Sequence, residues 1–216
     1  MKWIILTLFG LLIFSACSNE SNELRYTAEA GELTIFYRGH TFDFNWMGYG
    51  RQIPPQIMRH DMDGDGSPEI AILLWEGSGT GFSVDDLHVI SFQNGRPAIH
   101  TLAWYATDLW FAPPIATEIQ DDGLTIKITF NGQTHIANSH IKNYRDWENA
   151  EFAGFGTFGI VNFGIADSRI TSSVGLAAYY SNIGGSGMFY IATVRAFVGF
   201  NGESLYLYDY TIEIFD

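Results

Sequence analysis

Residues 124–139 read LTIKITFNGQTHIANS. Leu124, Ile126, Ile128 and Phe130 alternate with Thr125, Lys127 and Thr129. Successive side chains of a strand point to opposite faces, so this pattern describes a half-buried strand of an antiparallel sheet. Asn131-Gly132 follows at once. Asn-Gly is the favoured pair for a two-residue type I′ turn, because both central positions need positive φ. Residues 133–139 therefore pair back on 124–130.

The same junction occurs at Asn94-Gly95 and Asn201-Gly202. It predicts that LHVISF (87–92) pairs with PAIHTLAW (97–104), and IATVRAFVGF (191–200) with SLYLYDYTIEIF (204–215). In that last strand Tyr206, Tyr208, Tyr210, Ile212 and Ile214 fall on one side. IAILLW (70–75) is apolar on both faces and reads as a central strand. AGFGTFGIVNFGIADS (153–168) reads as β or loop. Residues 139–152 place Ile141, Tyr144 and Trp147 at helical spacing, with Ser139 as the cap. The expected fold is all-β and mainly antiparallel, a sandwich or an open propeller-like meander, with little helix.

Of the 216 residues, 47% are apolar and 16% aromatic, enough to build a core. Charge is one-sided: 11 Lys plus Arg against 24 Asp plus Glu, a formal net charge of -13. Nucleic-acid binding needs clustered Lys and Arg and is not expected. Adsorption to anionic lipid is disfavoured for the same reason. The single cysteine leaves no disulfide within one chain, so the fold rests on its core, on metal, or on both.

Residues 1–17 read MKWIILTLFGLLIFSAC. A positive start, a 12-residue apolar run from Trp3 to Phe14 and the small pair Ser15-Ala16 give the layout of a secretory signal. The run is too short to span a bilayer. Phe14-Ser15-Ala16-Cys17 resembles a bacterial lipobox. That resemblance implies cleavage before Cys17, a diacylglycerol on its sulfur, and a membrane partner reached through the lipid anchor. The expected organisation is a signal peptide at 1–16, a polar tether at 17–25 and a single β domain at 26–216. The expected location is the extracytoplasmic face of the bacterial cell envelope.

Residues 60–70 read HDMDGDGSPEI. Counting from Asp61, acids stand at positions 1, 3, 5 and 9: Asp61, Asp63, Asp65 and Glu69. Gly66 stands at position 6, where a cation loop turns sharply, and Ser67 at position 7, where a backbone carbonyl ligates. Short carboxylates wrapped around one point suit calcium, which takes six to eight oxygens. Magnesium demands stricter octahedral geometry, and zinc prefers His or Cys. Position 12 is Ile72, not a bidentate Glu, and Pro68 lacks an N–H, so this is not an EF-hand. The pattern D-x-D-G-D-G-x-x-E running into a strand resembles the calcium loops of FG-GAP and VCBS-type repeats. The resemblance implies calcium on Asp61, Asp63, Asp65 and Glu69, mainly in a structural role. More loosely, it extends through EGSGTGFSVDDLHVI (76–90) to bacterial secreted proteins carrying one such loop. The motif occurs once, whereas a propeller repeats it.

GSGTG (77–81) has no following Lys and reads as a turn or bulge, not a phosphate loop. GGSG (184–187) is followed by Met188 and fails as a nucleophile elbow. The six histidines form no metal-binding spacing. His88 near Asp85 and Asp86, with a serine, can be drawn as a triad, but nothing in the spacing supports it. Trp104, Trp110 and Phe111 form an aromatic patch that suits core packing or a protein or glycan partner. The functional expectation is a non-catalytic, lipid-anchored envelope protein acting in binding or assembly. The alternative is a secreted hydrolase with catalytic groups on separate loops.

Overall fold

The computed structural model describes residues 23–29, 31–45, 53–79, 82–103, 115–143, 147–183 and 187–215. The expected signal peptide, Cys17 and the patch Trp104, Trp110 and Phe111 lie outside these residues. Among the described residues fourteen strands follow in chain order: β1 (Arg25–Glu29), β2 (Glu32–Tyr37), β3 (His40–Asn45), β4 (Gln56–His60), β5 (Glu69–Gly79), β6 (Phe82–Gln93), β7 (Arg96–Leu102), β8 (Ile115–Ile119), β9 (Thr125–Phe130), β10 (Gln133–Asn138), β11 (Glu151–Ala166), β12 (Arg169–Ser181), β13 (Met188–Phe200) and β14 (Leu205–Ile214). The fold is all-β.

An eight-stranded sheet runs β14-β13-β12-β11-β6-β5-β4, with β7 also on β6. Two three-stranded sheets, β1-β2-β3 and β10-β9-β8, complete it. Pairing is antiparallel except where β11 meets β6, a parallel joint with register pairs Ile160↔Ser83 and Val161↔Val84.

The turns follow from local chemistry. Asn94-Gly95 and Asn131-Gly132 have positive φ at both positions and close two-residue hairpins. Arg38-Gly39 and Asp167-Ser168 do the same without an Asn-Gly signal. The third Asn-Gly junction behaves differently. β13 and β14 pair as expected, but Phe200 pairs with Leu205, leaving a four-residue loop. There the Asn201 side chain accepts from the backbone N–H of Glu203 (3.0 Å) and Ser204 (2.8 Å), and only Gly202 takes positive φ. A side-chain acceptor has replaced the tight turn.

Two other expectations are corrected. Among the described residues of 139–152 there is no α-helix, only 3₁₀ turns at Ile141–Asn143 and Trp147–Asn149 before β11 begins at Glu151. The Ser139 N–H donates to the Leu124 carbonyl (3.0 Å), extending the hairpin, and His140 is left-handed (φ 53), so a helix cannot start there. In β14 a bulge at Asp209 (φ 52) breaks the alternation. Leu205 and Leu207 face the core before it; Tyr210 and Ile212 face the core after it. Tyr206 and Tyr208 lie on the opposite face, with their rings 5.8 Å apart.

Of residues 153–168, left open between β and loop, 153–166 belong to the 16-residue strand β11 and Asp167-Ser168 form the turn after it. The β11 register shifts near Gly154 and Gly159, which carry positive φ as bulge residues. Gly77 of GSGTG sits at a register shift in β5.

β5 is buried on both faces. Ala71 and Leu73 join Val89, Val174 and Val198 in one core. Ile70, Ile72 and Leu74 join Leu33, Ile35 and Phe44 of the β1–β3 sheet in another. A third core lies where β9 and β10 pack on β12 and β13, around Ile126, Ile128 and Ile191. The small sheets thus pack face to face on the large one.

Candidate functional site

The acid loop spans residues 61–68, between β4 and β5. It is built by side chains accepting from its own backbone. Asp61 Oδ1 takes the Gly64 N–H and Oδ2 the Gly66 N–H, both at 2.9 Å. Asp63 Oδ1 takes the Asp65 N–H (3.1 Å), and Asp65 Oδ1 the Ser67 N–H (2.6 Å). Gly64 (φ 79) and Gly66 (φ 84) supply the left-handed positions that let the chain coil this tightly.

Of the five residues named from sequence, three converge. One carboxylate oxygen from each of Asp61, Asp63 and Asp65 lies within 4.8 Å of the others. Among the described residues none of the three forms an ion pair. Three clustered carboxylates without a cationic partner fit a hard, oxygen-seeking cation. Glu69 is used differently. It is 3% exposed, and its Oε2 accepts the Met62 N–H at 2.7 Å, closing the loop at its base. Burial pushes its carboxyl up, against that hydrogen bond; Asp63 and Asp65 add to the rise. The Ser67 side chain accepts from Arg38 Nη1 at 2.8 Å.

That last contact carries a feature the sequence did not disclose: other turns gather on the acid loop. From the β2–β3 turn, Arg38 reaches Ser67, and Tyr37 Oη donates to the Pro68 carbonyl (3.4 Å). From the β13–β14 loop, Gly202 packs so close that an added Cβ would stand 3.2 Å from Asp63 Oδ2. From the β6–β7 hairpin, Gln93 Nε2 donates to the Gly202 carbonyl. Beneath them the Arg38 guanidinium lies over the rings of Tyr37 (5.2 Å) and Phe92 (5.0 Å). Four loops distant in sequence meet at one pole. No local pattern signals this, because the contacts span tens to more than a hundred residues.

The triad considered at His88 does not assemble. His88 Nδ1 is 2.8 Å from Thr101 Oγ1, and its ring packs on Phe44. Burial lowers its pKa, with Asp86 opposing. Asp85 turns to β11, where Oδ2 accepts the Phe163 N–H at 3.0 Å. Burial raises the Asp85 carboxyl to about 6; that hydrogen bond opposes the rise, and Asp86 and Glu76 add to it. Ser91 Oγ and His100 Nε2 approach to 3.0 Å, a pair the sequence did not suggest. Ser91 is 2% exposed, so its hydroxyl is out of reach of a substrate.

Compared with known proteins, the chain matches no family model, no curated protein and no solved structure.

Proposed function

We propose that this protein is a calcium-loaded, non-catalytic module, held at the bacterial cell envelope by a lipid on Cys17 and acting there in binding or assembly. The convergence of Asp61, Asp63 and Asp65 carries the metal reading. Four backbone N–H groups already orient these carboxylates, so little ordering remains for the cation to impose. Calcium suits the all-oxygen donor set, and an extracellular supply suits a site of modest affinity.

The role of the cation is mainly structural. It neutralises charge at the point where the β2–β3, β6–β7 and β13–β14 turns gather, so binding adds to folding stability. The anchor reading rests on the lipobox-like stretch at 14–17. Calorimetric calcium titration with melting of both forms tests the metal. Metabolic labelling with a tagged fatty acid tests the anchor: Cys17→Ser should lose the label, and retained label would refute lipidation at that residue.

A further inference from the structure

We propose that β1 is a self-association edge, pairing antiparallel with β1 of a second copy of this chain in the register that sets Arg25 opposite Glu29. β1 is an outer strand of its sheet, hydrogen-bonded on one side to β2. All five of its residues are exposed, and Tyr26 keeps 54% of its surface in solvent. A groove lined by Leu24, Arg25, Tyr26, Thr27 and Phe36 follows the same strand. Consecutive strand residues point to opposite faces, so a groove touching Arg25, Tyr26 and Thr27 alike lies along the edge. The large sheet guards its outer strands: β14 carries the bulge at Asp209, and Pro54-Pro55 lead into β4. The five residues of β1 hold no proline, lysine or bulge.

The hairpin decides which backbone groups are free. Glu29↔Glu32 is the closing register pair of β1 and β2, with two residues between. The pair that closes a two-residue hairpin exchanges both backbone hydrogen bonds, and such pairs recur at every second residue. Arg25, Thr27 and Glu29 therefore turn their N–H and C=O groups to β2, and Tyr26 and Ala28 present theirs to the open side. A second β1 brought in antiparallel about Thr27 sets Tyr26 against Ala28 of the copy, and Ala28 against its Tyr26. Each of these pairs exchanges two backbone hydrogen bonds.

The side chains favour that register. Arg25, Thr27 and Glu29 share a face with Phe36, Thr34 and Glu32. There Glu29 stands directly across from Glu32, a like-charge pair. Among the described residues neither Glu29 nor Arg25 has an ion-pair partner. The second copy brings its Arg25 beside Glu29 and its Glu29 beside Arg25, so the two-fold axis makes the ion pair twice. A slide of two residues, the smallest that keeps the hydrogen bonds, sets Arg25 or Glu29 against Thr27 and loses both ion pairs. On the other face Tyr26 lies over Ala28 of the copy, large against small. Five residues a side make a small contact, so the pairing is weak and reversible, with Kd on the order of 10⁻⁴ M. Chains held on one membrane meet at a far higher effective concentration.

This inference deepens the assembly role proposed above and rests on it for its setting. The test is disulfide trapping in the purified full chain carrying Cys17→Ser, so that each introduced cysteine is the sole thiol. Opposite residues at non-hydrogen-bonded sites lie about 4.5 Å apart between Cα atoms, within reach of a disulfide. Under a mild oxidant Thr27→Cys, which faces itself across the axis, should form the covalent dimer at least about tenfold faster than Asp121→Cys, an exposed residue between β8 and β9. Arg25→Cys alone should react no faster than Asp121→Cys, whereas Arg25→Cys mixed with Glu29→Cys should cross-link. Arg25→Glu added to Thr27→Cys should slow trapping at least about tenfold, because symmetry applies the charge reversal twice. Melting curves report folding, and the Arg25→Cys and Glu29→Cys mixture reads the same register if Thr27→Cys does not fold. Thr27→Cys no faster than Asp121→Cys, or Arg25→Cys alone as fast as Thr27→Cys, overturns the inference. Calcium titration and fatty-acid labelling of the wild-type chain are separate readouts, so either result leaves the metal and anchor readings standing.

Discussion

Arg38 Nη1 donates to Ser67 Oγ at 2.8 Å, joining the β2–β3 turn to the acid loop across 29 residues of sequence. Arg38 is itself left-handed (φ 50), which lets one side chain reach Ser67 while its guanidinium covers Tyr37 and Phe92. Arg38→Ala removes both contacts and should cost about 1–2 kcal/mol. Denaturant unfolding measures it. Arg38→Lys should recover only part, because an ammonium cannot form the same planar stack.

Gly202 and Gly39 make a matched pair. Both have positive φ (88 and 77), so alanine at either strains the backbone to a similar degree. They differ in surroundings: a Cβ at Gly39 meets nothing within 4 Å, whereas one at Gly202 meets Asp63 Oδ2 at 3.2 Å. Gly202→Ala should therefore weaken calcium binding several-fold, and Gly39→Ala should leave it within error. Calorimetry on the two variants separates them.

Asp85 gives the protein a pH signature. Its folded carboxyl is raised to about 6 from 3.8, so between these values the folded state holds more protons than the unfolded state. Stability from this group is complete below about pH 4 and is lost as pH rises through about 6. Asp85→Asn keeps an acceptor for the Phe163 N–H without the charge. The variant should be more stable than wild type at pH 7.5, by about 1–2 kcal/mol after allowing for partial exposure, and level with it at pH 4. Melting curves at the two pH values check this.

Tyrosine rings lie over strand glycines on the large sheet. A Cβ at Gly175 would stand 2.6 Å from the Tyr190 ring and 3.3 Å from Ile160 Cβ; one at Gly199 would strike the Tyr206 ring. Tyr206 is 42% exposed and free to swing aside, whereas Gly175 is closed in from two sides. Gly175→Ala should cost about 1–3 kcal/mol and Gly199→Ala distinctly less. Paired urea unfolding curves test the order.

The fold was legible where short-range chemistry governs it. Alternation in 124–130 placed Ile126 and Ile128 inside, and two Asn-Gly junctions closed their hairpins as expected. The apolar run 70–75 announced a strand buried on both faces. Failures came where a single residue outweighed the pattern. Asp209 inserted a bulge and reversed the faces of β14, and left-handed His140 stopped a helix before its first turn. Neither shows in hydrophobic periodicity. The acid loop was legible as a cluster, but Glu69 turned inward to Met62, because its strand position is buried. The gathering of turns around that loop depends on tertiary placement and left no mark in local sequence.

The central claim is that Asp61, Asp63 and Asp65 hold calcium and that this cation stabilises the fold. The most direct measurement is calorimetric titration of calcium into chelator-treated protein, with melting of the free and loaded forms of wild type and Asp63→Ala. The account predicts one site, a higher melting temperature when loaded, and an Asp63→Ala defect that appears only with calcium. Absence of binding, or equal melting shifts with and without calcium, would contradict it.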